Sequence, residues 1–109
     1  MENKTDINVV AMEVILNAGN GRENIDQSLE EMALFHFDKA EELLKKAEDD
    51  IVKAHIAQTK VIQGQVSGEE TEYSLLFIHA QDTIMTINTE LRMAQKMMPV
   101  FKALYEMNK

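Results

Sequence analysis

The chain of 109 residues contains no cysteine, which removes thiol nucleophiles, zinc–thiolate sites and disulfide cross-links together. Nor does it contain a run approaching the roughly 20 apolar residues of a membrane span. Its first residues, Met1-Glu-Asn-Lys-Thr-Asp6, lack the basic-then-apolar order of a secretory signal, so a cytoplasmic location without membrane insertion is expected. Positive charge is scarce: 11 basic residues face 19 acidic ones, and the net charge of −8 repels phosphate backbones, which argues against nucleic acid as a partner. Several catalytic patterns are missing as well. There is no serine-centred nucleophile elbow, no glycine-rich phosphate loop, no H-E-x-x-H zinc spacing and no carboxylate pair with an evident cleft for glycoside hydrolysis. The remaining chemistry belongs to carboxylates and to three histidines, His36, His55 and His79.

What is present is a globular composition, 45% hydrophobic and 28% charged, in a chain long enough for one domain over residues 1–109 and too short for two. Ile7, Ala11, Val14, Ala18, Gly21, Ile25, Leu29 and Met32 recur at steps of three and four, predicting a first helix over residues 6–34. Gly19 and Gly21 interrupt its interior, where each glycine costs up to about 1 kcal/mol relative to alanine. They imply a kink, close backbone packing, or a loop dividing two shorter helices. A second helix starts near Phe37 and carries Ala40, Leu44, Ala47, Ile51, Ala54, Gln58 and Val61 on one face. The pairs Glu41/Lys45 and Glu42/Lys46 mark its solvated side. The turn falls within residues 34–38, where Asp38 is the nearby capping side chain.

A clearer break lies at Gly64-Gln-Val-Ser-Gly-Glu-Glu-Thr71, where Ser67-x-x-Glu70 fits a capping box and places the start of a third helix. The seam of that helix is Phe77, Ala80, Ile84, Ile87, Leu91, Ala94, Met98, Phe101 and Tyr105, and Pro99 predicts a kink or fraying in the last turns. Three long helices joined by short turns, with no strand alternation, make an all-α, antiparallel up-down-up three-helix bundle.

The third helix has a second buriable stripe, Leu75, His79, Asp82, Thr86, Thr89, Met93 and Met97, beside a narrow polar strip of Ser74, Gln81, Asn88, Arg92 and Gln95. A helix of a lone bundle buries one stripe, so the second predicts a closed homo-oligomer with His79 and Asp82 at or beside the subunit contact. A carboxylate there needs a partner, a proton or a metal. If copies of Asp82 gather near a symmetry axis, a cation or a raised pKa must offset their repulsion, and oxygen ligands completed by water suit magnesium or another hard divalent ion.

His79 and Asp82 are three residues apart and share one helix face. With the other chemistries excluded, the imidazole of His79 is a candidate nucleophile near neutral pH, able to carry a phosphoryl group. A satisfied interior histidine is the bland alternative. His55 is either a supporting partner or a core-edge residue, and His36 is most simply solvent-exposed. A helical adaptor oligomer with a buried His79, and a metal-storage or metal-sensing bundle, are the competing functions.

Ser74-Leu-Leu-Phe-Ile-His-Ala-Gln-Asp-Thr-Ile-Met-Thr86 resembles the signature of the lactose/cellobiose (N,N′-diacetylchitobiose) class of enzyme IIA components of the bacterial phosphoenolpyruvate:sugar phosphotransferase system (PTS). Ala11-Met-Glu-Val-Ile-Leu-Asn-Ala-Gly-Asn20 is similar to that family's first helix. Phe37-Asp-Lys-Ala-Glu-Glu-Leu43 and Ala54-His-Ile-Ala-Gln-Thr59 are similar to its second. The resemblance implies a homotrimer of three-helix bundles in which His79 accepts a phosphoryl group from HPr and passes it to a cysteine of the cognate IIB component. The sugar, a β-linked disaccharide of the cellobiose, chitobiose or lactose type, crosses through the IIC component. The resemblance further implies that Asp82 from each subunit meets a divalent cation, magnesium first, on the trimer axis, and that Gln81 supports the histidine or its phosphate. Three departures stand out: Thr83 where the family commonly has a second histidine, Phe35-His36 where a Gly-Asp turn is common, and Pro99.

Overall fold

The computed structural model describes residues 6–68 and 73–109. Its helices are α1 (Ile7–Ala33), α2 (Phe37–Val66) and α3 (Leu75–Met107), and no strand occurs among the described residues. The expected all-α, up-down-up bundle is therefore the fold. Polar cross-links give the direction of each helix. Ser74 and Glu90 of α3 meet Asn8 and Arg22 of α1 in the same order, so these two helices run parallel. Gln95 and Lys102 of α3 meet Glu48 and Glu41 of α2 in reverse order, so that pair is antiparallel. The result is a rod of 65 × 19 × 18 Å.

The core is a seam of heptad spacing with small residues at many of its positions. Ala11, Ala18, Ala40, Ala47, Ala54, Ala80 and Ala94 are buried among Val14, Ile25, Met32, Ile51, Ile84, Ile87 and Leu91. Small side chains bring the backbones close, and the larger ones interlock between them. Helix α1 runs without a break through both glycines. Gly21 faces α2 so closely that a Cβ there would lie 3.3 Å from Ile51 Cγ1 and 3.4 Å from the carbonyl of Ala47. Of the three expectations for these glycines, close packing is the one realised, and it is realised at Gly21; Gly19 faces open space.

Several expected details differ. Leu29 is partly buried against the core as expected, and the fully buried position beside it is taken by Ser28: its hydroxyl donates to the carbonyl of Ala40 at 2.8 Å, which lets a polar group stay buried while joining the end of α1 to the start of α2. On α2, Ala57 is buried where Gln58 was expected. Asp38 does not cap α2. His36 stands at the cap position and its side chain makes no capping bond, and Asp38 lies in the first turn, where its charge complements the helix dipole. Ser67 does not open α3. It closes α2, its hydroxyl donating to the carbonyl of Gln63, while Glu70 of the expected capping box lies outside the described residues. The cap of α3 is Ser74, seven residues later.

Pro99 does not end α3, which continues to Met107. A proline removes the hydrogen bond to the carbonyl four residues back, so the following turns need other support. They receive it from Lys102, whose ammonium lies 2.9 Å from Glu41 of α2, and from Tyr105, whose ring packs on Phe35 and Phe37. Those contacts also account for the turn between α1 and α2. Phe35 adopts a φ of 63°, a left-handed conformation that costs a residue with a Cβ about 1–2 kcal/mol, and it does so with its ring between those of Phe37 and Tyr105.

The Gly21 contact yields a direct check. A branched side chain at this position has to displace Ile51 and the α2 backbone, so Gly21→Val lowers unfolding free energy by about 1–3 kcal/mol in urea denaturation, despite removing a helical glycine.

Candidate functional site

The site is built on the first turns of α3. Ser74 has extended backbone, its Oγ accepts from the amide of Phe77 at 3.0 Å, and the same hydroxyl donates to Asn8 Oδ1 at 2.6 Å. Asn8 is in turn fixed by Asp6, the cap of α1, whose Oδ1 accepts its amide. One serine thus starts α3 and ties it to the start of α1. From there the seam residues Phe77, Ala80 and Ile84 bury themselves, and the pitch of the helix turns His79 and Asp82 outward together.

Both residues are exposed. So is every other member of the second stripe: Thr86 and Thr89 are solvent-facing, Leu75 is 69% exposed and Met93 56%, with Met97 completing the row. Helix α3 therefore buries one stripe within the bundle and presents the other outward, as its two-sided pattern requires. The row is also marked by threonines. Thr83, Thr86 and Thr89 each donate a hydroxyl to the carbonyl four residues back, those of His79, Asp82 and Met85, at 2.7, 2.8 and 3.1 Å. These bonds satisfy three hydroxyls inside an apolar face and give the His79 and Asp82 carbonyls a second donor. No sequence pattern announced them, because a threonine on a helix is equally able to face water.

The other candidates separate from this face. Gln81 is two residues from His79, and positions two apart on a helix do not face each other, so its half-buried amide lies around the helix from the imidazole. His55 lines a cleft between α2 and α3 with Ile51, Gln58, Ile84, Met85 and Asn88. Asn88 is nine residues beyond His79 along α3, about 13 Å of helix, so His55 does not support the His79 ring. Next to it, Gln58 Oε1 is buried with no hydrogen-bond partner among the described residues. His36 is exposed at the α1–α2 turn, at the opposite end of the rod, with Nδ1 2.7 Å from Glu31 Oε2.

Electrostatically the face is simple. No side chain among the described residues hydrogen-bonds or pairs with the Asp82 carboxylate, and no group of three or more histidine and acidic residues converges on a metal site there. The chain alone therefore offers a cation one hard oxygen donor at this position. Further along, Arg22 grips Glu90 through two hydrogen bonds of 2.9 and 3.0 Å, which raise the already high pKa of the guanidinium.

The chain has known counterparts in sequence and in fold. The model of the family described as "PTS system, Lactose/Cellobiose specific IIA subunit" matches residues 9–102. The lichenan-specific phosphotransferase enzyme IIA component of Bacillus subtilis is 36% identical over 100 residues, covering 89% of this chain and 88% of its own. The PTS system lactose-specific EIIA component of Lacticaseibacillus casei is 32% identical over 107 residues, covering 98% and 96%. Among solved structures, the PTS cellobiose-specific enzyme IIA from Bacillus anthracis superposes with a TM-score of 0.88 at 34% identity, covering 95% of each chain. The chain belongs to the lactose/cellobiose-specific IIA family of the phosphotransferase system, and so to the machinery of phosphoryl-driven sugar uptake.

The Ser74 clasp is open to direct measurement. Ser74→Ala removes the cap of α3 and the bond to Asn8, and is expected to lower unfolding free energy by about 0.5–2 kcal/mol. Amide exchange at Phe77 should quicken by more than that at Leu91.

Proposed function

We propose that this protein carries a phosphoryl group on His79, receiving it from the phosphohistidine of HPr and delivering it to the cysteine thiolate of a IIB component. The IIB protein and its membrane partner IIC then couple the transfer to uptake of a β-linked disaccharide of the cellobiose, chitobiose or lactose type. The observation that carries the reading is the exposure of His79, in a chain of this family, at the one histidine position on the outward face of α3. A carrier ring has to meet two proteins in succession. A ring that the bundle itself leaves exposed is suited to that.

In the first transfer a ring nitrogen of His79 attacks the phosphorus in line with the donor's N–P bond. The new N–P bond forms as the old one breaks, the donor imidazole leaves with the electron pair, and one proton passes from the His79 ring to the donor ring. In the second, the IIB thiolate attacks the same phosphorus, an S–P bond replaces the N–P bond, and His79 regains a proton. Neither step creates new covalent chemistry on the protein beyond the ring itself, so the work of the fold is placement. The first-turn clasp through Ser74 and the bonded carbonyl of His79 keep the backbone beneath the ring in place.

The outward stripe of α3 is read as the contact of a homotrimer, with Asp82 of three copies converging on the axis. Three carboxylates completed by water fit a hard divalent cation, magnesium first, one per trimer. The cation would neutralise the axial charge and stand apart from the phosphoryl path. Gln81, to which the resemblance gives support of the histidine or its phosphate, lies around the helix from His79 of its own chain, so its geometry within one chain adds nothing to that role. The carrier role assigns the assembly to the cytoplasm, where its two protein partners would meet it. Among the described residues no helix is long and apolar enough to cross a membrane.

Two experiments test this. Incubation with phosphoenolpyruvate, enzyme I and HPr should add one acid-labile phosphate per chain at His79, and His79→Gln should accept none; phosphate on the variant would refute the assignment. Asp82→Leu should abolish the metal dependence of the melting temperature while leaving a helical protein. An unchanged response to chelator, with unchanged mass by light scattering, would remove the axial cation.

A further inference from the structure

Asn8 stands where α1 and α3 begin. Its backbone amide donates to Asp6 Oδ1 at 3.0 Å, and its side-chain Oδ1 accepts the Ser74 hydroxyl at 2.6 Å. The Ser74 oxygen also accepts the Phe77 amide, so its one hydrogen is committed to Asn8 and fixes which way the carboxamide faces, Oδ1 toward Ser74 and Nδ2 away from it. Asn8 is exposed, and among the described residues nothing accepts a hydrogen bond from Nδ2.

The helix register brings this amide near His79. Helices α1 and α3 run parallel with an offset of 66 residues at Asn8–Ser74 and 68 at Arg22–Glu90. His79 precedes Glu90 by about three full turns, so it lies on the edge of α3 that meets α1 at Arg22. Asn8 precedes Arg22 by about four turns and lies on the facing edge of α1. Along the rod, the His79 backbone is about 6–8 Å beyond the level of Asn8. A helical side chain leans over the turn before its own, so the ring projects back toward that level, and a phosphoryl group on it extends further.

A phosphoryl group there meets few donors of its own chain. Neither α1 from residue 6 to 21 nor α3 from 75 to 91 contains a lysine or arginine, and Arg22 beyond them is bound to Glu90. The hydroxyls of Thr83 and Thr86 give their hydrogens to backbone carbonyls, Asn17 donates to the carbonyl of Glu13, and Gln81 lies around the helix. The carboxamide of Asn8 is both oriented and uncommitted.

We propose that Asn8 binds the phosphoryl group of phosphorylated His79, its Nδ2 donating to a non-bridging oxygen. The assignment rests on the carrier role of His79 and names a donor for the charge that this role brings to α3. An amide oriented beforehand needs little rearrangement when the phosphoryl group arrives, and a hydrogen bond to a charged oxygen favours the phosphorylated ring over the free one. No bond to phosphorus forms or breaks at Asn8. Ser74 and Asp6 act through it, as positioning residues.

The test uses the full chain, phosphorylated with phosphoenolpyruvate, enzyme I and HPr. In wild type the Asn8 Nδ2 proton resonances should move on phosphorylation and return when the phosphate is lost, while those of Asn108, at the far end of α3, stay in place. Unmoved Asn8 resonances would overturn the proposal without any variant. Asn8→Asp keeps the acceptor for Ser74 and loses both donors, so melting temperature and oligomer mass should stay near wild type while the labelling rate falls by about tenfold. Asn8→Ala, which adds no charge, should shift the phosphorus resonance of the phosphorylated ring and shorten its hydrolysis half-life, readouts that a purely structural asparagine would not move. If both variants match wild type in labelling rate, phosphorus resonance and half-life, Asn8 is not the donor and the carrier role stands. Failure to label wild type at all would overturn the carrier role and this assignment with it.

Discussion

Close approach of backbones governs this molecule. With alanine at so many seam positions and Gly21 against Ile51, the three helices come together over a core one side chain deep. Such a core can use one stripe per helix and no more. Residues flanking the seam, such as Val10, Ile15 and Leu76, are partly buried against it, and those further round each helix are turned outward by its pitch. The row from Leu75 to Met97 on α3 and the row from Val9 to Leu16 on α1 are both outcomes of this limit. A thicker core would have absorbed them, and the protein would have had no apolar surface beside His79.

Polar links determine how the helices register along the rod. Ser28 to Ala40, Ser74 to Asn8, Arg22 to Glu90 and Lys102 to Glu41 are spread from one end to the other, each joining a different pair of turns. The exposed ion pairs contribute little stability individually. Their value is in alignment: an alanine seam repeats every heptad and would tolerate a slip of one heptad, whereas a serine aimed at one carbonyl or one asparagine tolerates none. The level of His79 relative to α1 follows from that alignment.

Much of this was legible in the residues. Heptad spacing identified the three helices to within a residue at both ends of α1 and at the start of α2, and nearly every seam position, because periodicity of apolar residues records burial directly. The ends that were misread are those where a polar residue had two possible uses. Ser67 and Ser74 are both plausible caps, and the choice depends on Asn8, a residue far away in sequence. Ser28 did not figure in the expected α1 face, and Ala40 supplied an acceptor that no local pattern reveals. At the site, the His79 and Asp82 face was visible as a surplus apolar stripe on α3. The exclusion of His55 was not, since it depends on how far α2 and α3 are offset.

Phe35 illustrates a different kind of dependence. Its left-handed backbone is costly for a side chain with a Cβ, and its ring is held by Phe37 and by Tyr105. A glycine at position 35 would relax the backbone and abandon the rings; loss of Tyr105 would keep the strained backbone and remove its support. The cost of either change therefore depends on whether the other has been made. Positions 35 and 105, far apart in sequence, are coupled in energy, and the identity of the turn residue bears on which side chains suit the end of α3.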